Sequence, residues 1–254
     1  MSLLTLENVT LRFGGLTAVD DLSFAVEPGE VFAIVGPNGA GKSTVFNLIS
    51  RFYDPVSGSI RLENEDLLAH KSSDVANLGI ARTFQNIELF EHATVLQNLL
   101  VGRHRHRRST MLSELLFLPS VRRAEIENRE KVEEIIDFLD LQPYRDKMIA
   151  GLPYGVRKVV EVARALATDP RLLLLDEPAS GLSVEETSDM RWWIEDIRRQ
   201  MGITVLMVEH DMGLVSGVSD RVLAMADGAR LALGTPAEMQ SHPAVIEAYL
   251  GRAS

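Results

Sequence analysis

Residues Gly36-Pro37-Asn38-Gly39-Ala40-Gly41-Lys42-Ser43 limit what this chain can become more than any other stretch. They match the pattern G-x-x-x-x-G-K-S/T. Val31-Phe32-Ala33-Ile34-Val35 before them is wholly apolar and reads as a buried strand, with a turn at Pro28-Gly29; a helix through Ser50 is expected after them. In that setting the glycines let the backbone bend until successive N–H groups face one anion, and the helix adds the positive end of its dipole. Lys42 brings a point charge for terminal phosphates, Ser43 a hard hydroxyl oxygen suited to Mg2+, and Thr44 a further donor. The alternative is a glycine-rich turn with a solvated lysine; the flanking strand and helix argue against it. An α/β fold that holds a nucleoside triphosphate is the expectation.

A second half of such a site lies downstream. Leu172-Leu173-Leu174-Leu175 reads as a buried strand that delivers Asp176 and Glu177 at its carboxyl end, where parallel sheets bind ligands. Asp176 is placed to hold Mg2+ and Glu177 to polarise an attacking water. The alternative, an acidic pair capping a helix, fits poorly with Pro178 next. Ile203 to Val208 forms another apolar strand and ends at Glu209-His210, so His210 is a candidate for the γ-phosphate.

Composition removes several function classes. The chain has 254 residues, enough for one large α/β domain or a core with a subdomain. Its net charge is −10, which disfavours a general nucleic-acid binder, and no nucleic-acid partner is expected. Cysteine is absent, which excludes disulfides, thiolate metal sites and cysteine nucleophiles. No signal peptide is recognisable at the start, and no apolar run approaches the roughly 18 residues of a membrane span.

Local patterning fills in the rest. Leu4 and Leu6 share one parity and Val9, Leu11 and Phe13 the other, so a bulge or turn is expected near Glu7-Asn8. Val132, Ile135, Ile136 and Leu139 predict an amphipathic helix, as do Val159, Val162, Ala163 and Leu166, and a third stripe runs through Met190, Trp193, Ile194, Ile197 and Met201. Asp227-Gly228 predicts a hairpin with a type I′ turn. Thr235-Pro236-Ala237-Glu238 predicts a capped helix start. Residues 86–158 read as a helical subdomain inserted into a core made of 1–85 and 159–234, with 235–254 a helical tail.

Taken together, these motifs resemble the ATP-binding subunit of ATP-binding cassette (ABC) transporters over nearly the whole chain. Gly36 to Thr44 is similar to the Walker A stretch, Gln85 to the Q-loop glutamine, Leu172 to Glu177 to Walker B with its glutamate, Ser180-Gly181-Leu182-Ser183 to the D-loop, and His210 to the switch histidine. Leu152-Pro153-Tyr154-Gly155-Val156-Arg157-Lys158 occupies the signature position. The resemblance implies a P-loop NTPase (RecA-like) core, an N-terminal antiparallel β subdomain and an inserted helical subdomain. It implies ATP and Mg2+, with Gly36, Pro37, Asn38, Gly39, Ala40, Gly41, Lys42, Ser43 and Thr44 on the phosphates. Ser43, Gln85 and Asp176 would attend the metal, and Glu177, His210, Lys42 and Gln85 catalysis. Phe13 either packs in the sheet core or stacks on the base. It further implies a head-to-tail pair, in which Tyr154 and Gly155 of one copy cover the ATP of the other. Pro153 replaces the usual signature serine, Tyr154 a glycine and Val156 the glutamine, and Ser183 stands where an acid or Asn is usual in the D-loop. A competent but slow ATPase is expected.

Phe13-Gly14-Gly15-Leu16, Arg82-Thr83-Phe84-Gln85, the insert Gly102 to Arg129, Glu209-His210-Asp211-Met212 and Ala248-Tyr249-Leu250-Gly251 are most similar to the larger ATPase of branched-chain amino acid importers. That implies a second ATPase (self or paralogue), integral membrane permeases, indirectly a solute-binding protein, and a peripheral position on the cytoplasmic face of the inner membrane. The run Arg103-His104-Arg105-His106-Arg107-Arg108 is either a solvated turn or a docking patch for the permease or anionic lipid. Leu115-Leu116-Phe117-Leu118 is a further candidate contact. A DNA-moving P-loop ATPase would carry a much longer insertion between Lys42 and Gly151. A non-transport assembly factor and an inactive nucleotide-binding regulator stay open.

Overall fold

A computed structural model describes residues 2–84, 87–106 and 119–250. In chain order the strands are β1 (Leu4–Phe13), β2 (Leu16–Val26), β3 (Val31–Val35), β4 (Ser57–Leu62), β5 (Glu65–Asp66), β6 (Ile80–Arg82), β7 (Leu172–Asp176), β8 (Thr204–Val208), β9 (Arg221–Ala226) and β10 (Ala229–Gly234). The helices are α1 (Lys42–Ile49), α2 (Val95–Gly102), α3 (Pro119–Phe138), α4 (Tyr154–Leu166), α5 (Val184–Met201), α6 (Met212–Val218), α7 (Pro236–Ser241) and α8 (Pro243–Leu250). The chain divides into two compact units, Met1–Arg82 with Arg171–Ser254, and Thr83–Pro170.

The first unit is α/β. Its larger sheet has the order β10-β9-β3-β8-β7-β6; β9, β3, β8, β7 and β6 are parallel and β10 is antiparallel to β9. Strands β3, β7 and β8 are buried along their whole length, which is why they read as unbroken apolar runs. The smaller sheet, β2-β1-β4-β5, is antiparallel. Leu4, Leu6, Val9, Leu22 and Ile60 from it share one core with Phe46 and Leu48 of α1 and with Phe32, Leu172 and Leu206 of the larger sheet. Each such side chain contributes about 1.5–3 kcal/mol on burial.

The phase break in β1 is where the sequence places it. Pairing with β2 shifts register between Leu6 and Val9, and Asn8 takes a positive φ of 49°. The extra residue lets Leu4, Leu6, Val9 and Leu11 all face the core. Asp227 and Gly228 both have positive φ, as a type I′ turn requires. Thr235 and Glu238 form the expected capping box at α7. In the third helical stripe Met190, Ile194 and Ile197 are buried, but Met201 is exposed, because it closes α5 one residue before the left-handed Gly202.

The second unit is helical. Val132, Ile135 and Ile136 of α3 and Leu139 just after it are buried, as are Val159, Val162, Ala163 and Leu166 of α4. Arg103 departs from both readings of the basic run. It is buried, its Nε donates to Asn128 Oδ1 at 3.0 Å and its Nη1 to the Ala167 carbonyl at 3.2 Å, and it pairs with Asp169. Its guanidinium thus bonds the C-cap carbonyl of α4. Arg107, Arg108 and Leu115 to Leu118 lie outside the described residues, as do the side chains of Arg105 and His106.

Candidate functional site

Three neighbouring strands of the larger sheet bring the candidate residues to one edge. β3 runs into the Gly36 loop, β7 ends on Asp176 and is followed by Glu177, and β8, between them, leads to Glu209 and His210. Main-chain bonds fix their relative heights. The Glu177 N–H donates to the Val208 carbonyl at 2.9 Å and the Glu209 N–H to the Ile34 carbonyl at 3.2 Å.

The loop is seated by two close approaches. A Cβ on Gly36 would lie 2.2 Å from the Met225 carbonyl oxygen of β9, and one on Gly41 2.5 Å from the Ala18 carbonyl oxygen of β2. Only glycine fits there. The β9–β10 turn supports the loop from behind, with the Gly228 N–H donating to Ala40 and the Gly228 carbonyl accepting from Asp20. Gly41 caps α1 with φ +95° and offers no side chain to its first-turn amides, which suits a helix end that receives an anion. Asn38, Gly39 and Ser43 are exposed and Thr44 is half-buried, so the loop presents an accessible rim.

Lys42 is the buried charge at the centre of the loop. Its Nζ donates to the Gly36 carbonyl at 2.7 Å and the Pro37 carbonyl at 3.1 Å. Burial lowers its pKa, and the nearby Glu177 and Asp176 carboxylates pull it back up. An under-solvated ammonium held by two carbonyls has much to gain from a polyanion.

Asp176 is 3% exposed and its Oδ2 lies 2.9 Å from Arg82 Nη2. Glu177 is half-buried and sits in the left-handed region at φ +50°, which costs a non-glycine residue about 1–2 kcal/mol. Its backbone is held there on both sides, by Val208 and by the Ser180 N–H, which donates to its carbonyl at 3.1 Å. Such strain concentrates at functional turns. His210 is exposed, and its Nδ1 stands 3.8 Å from Glu209 Oε2.

Other expected residues fall elsewhere. Phe13 is 43% exposed at the end of β1, edge-on to Tyr53 with centroids 5.0 Å apart, so it is not part of the sheet core. Gln85 lies outside the described residues. Two residues before it, the chain enters the helical unit, where the Phe84 N–H donates to Glu161 Oε1 at 2.9 Å. Glu161 is buried, and burial raises its pKa against the lowering effect of that bond, Lys158 and Arg164. Tyr154 and Gly155 open α4 in the helical unit, with Pro153 as N-cap at φ −53°, ψ 152°; Tyr154 is exposed and Gly155 buried. Pro153 thus stands just outside the helix, where its missing N–H removes no helical bond. Ser183 caps α5, its Oγ accepting from the Glu186 N–H at 3.2 Å, which is the role an Asp or Asn would also fill.

Two residues with structural consequence had no assigned role in the sequence. Glu209 is fully buried and accepts three main-chain N–H groups: Ala179 on Oε1 at 2.9 Å, and His210 and Asp211 on Oε2 at 2.6 and 2.9 Å. It fastens the segment after Glu177 to the segment carrying His210. The signal was a charged residue closing an apolar strand. Arg82 is the other, through its pair with Asp176.

The family model described as ABC transporter matches residues 19–180, the span from β2 through Glu177. The chain belongs to the ABC transporter family, as an ATP-binding subunit. A second family, the branched-chain amino acid ATP-binding cassette transporter, matches residues 229–254. The cassette is 42% identical over 251 residues to the high-affinity branched-chain amino acid transport ATP-binding protein BraF of Pseudomonas aeruginosa, covering 99% of this chain and 98% of that one. It is 40% identical to LivG of Escherichia coli K12, the protein of the same description, with the same coverage. Among solved structures it resembles an ATP-binding cassette of an ABC transporter in its ADP conformation, with a TM-score of 0.86, 33% identity and 99% and 100% of the two chains covered. The P-loop NTPase fold and an ATPase that drives transport follow from this membership.

Proposed function

We propose that this cassette powers an importer for branched-chain amino acids or related small solutes, and that the sheet edge at β3, β8 and β7 is its hydrolytic half-site. The observation that carries this reading is that Lys42, Asp176, Glu177 and His210 lie at or just after the carboxyl ends of three adjacent strands. The amides of Gly39 to Thr44 receive the β- and γ-phosphates. Lys42 exchanges its two carbonyl partners for phosphate oxygens. The donor chemistry fits Mg2+: an exposed Ser43 hydroxyl and the Asp176 carboxylate are hard oxygens on the same edge, with Gln85 a further amide oxygen. Bound there, Mg2+ offsets charge on the terminal phosphates. Glu177 orients and polarises the attacking water, and His210 contacts the γ-phosphate. Phe13 offers its exposed ring to adenine, with little base discrimination.

Tyr154 and Gly155 are proposed to cover the ATP bound by a second cassette, identical or paralogous, using the N-terminus of α4. Pro153 offers no side-chain donor for that contact. A missing charge-assisted hydrogen bond weakens the pair by about 1.5–3 kcal/mol, which favours slow turnover. Integral membrane permeases are proposed as partners, and of the basic run Arg105, Arg107 and Arg108 are the candidates for docking, Arg103 being buried. Among the described residues no helix is long and apolar enough to cross a membrane. A peripheral site on the cytoplasmic face of the inner membrane is proposed from the relatives' descriptions as transport ATP-binding proteins, with a solute-binding protein engaged only through the permeases. The branched-chain assignment draws on the relatives' descriptions and on the match at 229–254.

The test is reconstitution with candidate permeases and a second cassette in proteoliposomes. ATP-dependent leucine uptake that Glu177→Gln abolishes, while ATP binding persists, is the expected result. Phosphate release unaffected by Glu177→Gln would refute the site, and uptake of unrelated solutes only would refute the substrate class.

A further inference from the structure

The mechanism above gives no role to Arg82, the half-buried charge that pairs with Asp176. Arg82 is the last residue of β6 and the last of the first unit before the chain enters the helical one. Its side chain is 11% exposed and spans two elements. Nη2 lies 2.9 Å from Asp176 Oδ2 at the tip of β7. Nη1 donates to Asn47 Oδ1 at 2.8 Å and to Ser50 Oγ at 3.4 Å, both at the far end of α1. The guanidinium carbon stands 5.4 Å from the Phe46 ring centroid and 5.9 Å from that of Phe52. A planar fork with aromatic neighbours suits arginine; an ammonium could not reach all of these partners at once.

We propose that Arg82 is a positioning residue for the Mg2+–ATP site. It balances the charge of Asp176 and holds that carboxylate in one orientation before metal arrives. It also ties that orientation to α1, whose first turn carries Lys42, Ser43 and Thr44. The carboxylate and the phosphate loop are thereby set to one another through a single side chain. The inference rests on Asp176 being a Mg2+ contact, as proposed above. Groups that orient a metal ligand from behind act strongly on metal affinity although they never touch the metal.

Thermal unfolding in EDTA without nucleotide tests the pair itself. Arg82→Met is expected to lower Tm by more than about 5 °C, because it removes the guanidinium bonded to a buried carboxylate. Adding Asp176→Asn to that variant should restore at least half of the loss. Strictly additive losses overturn the proposal. Arg82→Lys tests the positioning role. The Mg2+ concentration for half-maximal phosphate release should rise about tenfold, while the affinity for a fluorescent ATP analogue in EDTA stays within about twofold of wild type. An unchanged Mg2+ requirement, with the unfolding result intact, makes Arg82 structural only and overturns the proposal. If Asp176→Asn itself leaves the Mg2+ requirement unchanged, the assignment of Asp176 fails, and the proposal with it.

Discussion

Replacing Glu209 by glutamine changes one atom and should still destabilise the cassette by about 2–4 kcal/mol. The wild-type carboxylate is fully buried and accepts from Ala179, His210 and Asp211. Glutamine has one acceptor oxygen. Turned towards His210 and Asp211, it keeps two bonds without their charge assistance and sets its NH2 against the Ala179 N–H. An unsatisfied buried donor costs about 1–3 kcal/mol, and lost charge assistance adds about 1 kcal/mol more. For a chain of this length 1 kcal/mol moves Tm by about 2–4 °C, so the shift should be about 4–16 °C. Scanning calorimetry of the nucleotide-free protein measures it. Glu209→Ala should lose more, since all three donors are orphaned. A glutamine variant that melts within about 2 °C of wild type would refute the reasoning.

Lys42→Met should abolish tight ATP binding in a fluorescent-nucleotide titration while leaving the protein folded. Because burial lowers the pKa of Lys42 below 10.5, the unfolded state binds the extra proton. Wild-type stability relative to the Met variant should therefore rise with pH through the lowered value up to 10.5, and be flat below it. Glu161 runs the other way. Its raised pKa means the native state binds the proton more tightly, so its contribution is fully present below 4.5 and lost as pH rises through the folded value. Glu161→Gln, which can still accept from the Phe84 N–H, should melt above wild type at pH 8, with the gap closing towards pH 4.5. Arg103→Met should lower Tm by several degrees, because it also removes the bonds to Asn128 Oδ1 and the Ala167 carbonyl, and Asp169→Asn by less, because an amide oxygen can still accept from Arg103; calorimetry of both variants compares them.

What the sequence made legible was local. The Gly36–Ser43 loop, the apolar runs of β3, β7 and β8, the parity break at Asn8 and the Asp227-Gly228 turn each follow from neighbours a few residues apart. What stayed hidden depends on partners far along the chain. Arg82 meets Asp176 94 positions away, Arg103 meets Asp169 66 away, and Glu209 meets Ala179 30 away. No periodicity encodes those choices. Arg103 shows the consequence: a charge run suggested solvent or docking, yet its first member is buried and bonds the C-cap carbonyl of α4. Pro153 and Ser183 both occupy N-cap positions, where Pro is tolerated and Ser is favoured.

A structure with a non-hydrolysable ATP analogue and Mg2+ tests the central claim most directly. The triphosphate is expected against the amides of Gly39 to Thr44, with Lys42 Nζ moved from the Gly36 and Pro37 carbonyls onto phosphate oxygens, and Ser43 and Asp176 are the residues that would hold the metal. Nucleotide lodged away from that edge, with Lys42 still bound to both carbonyls, would contradict it.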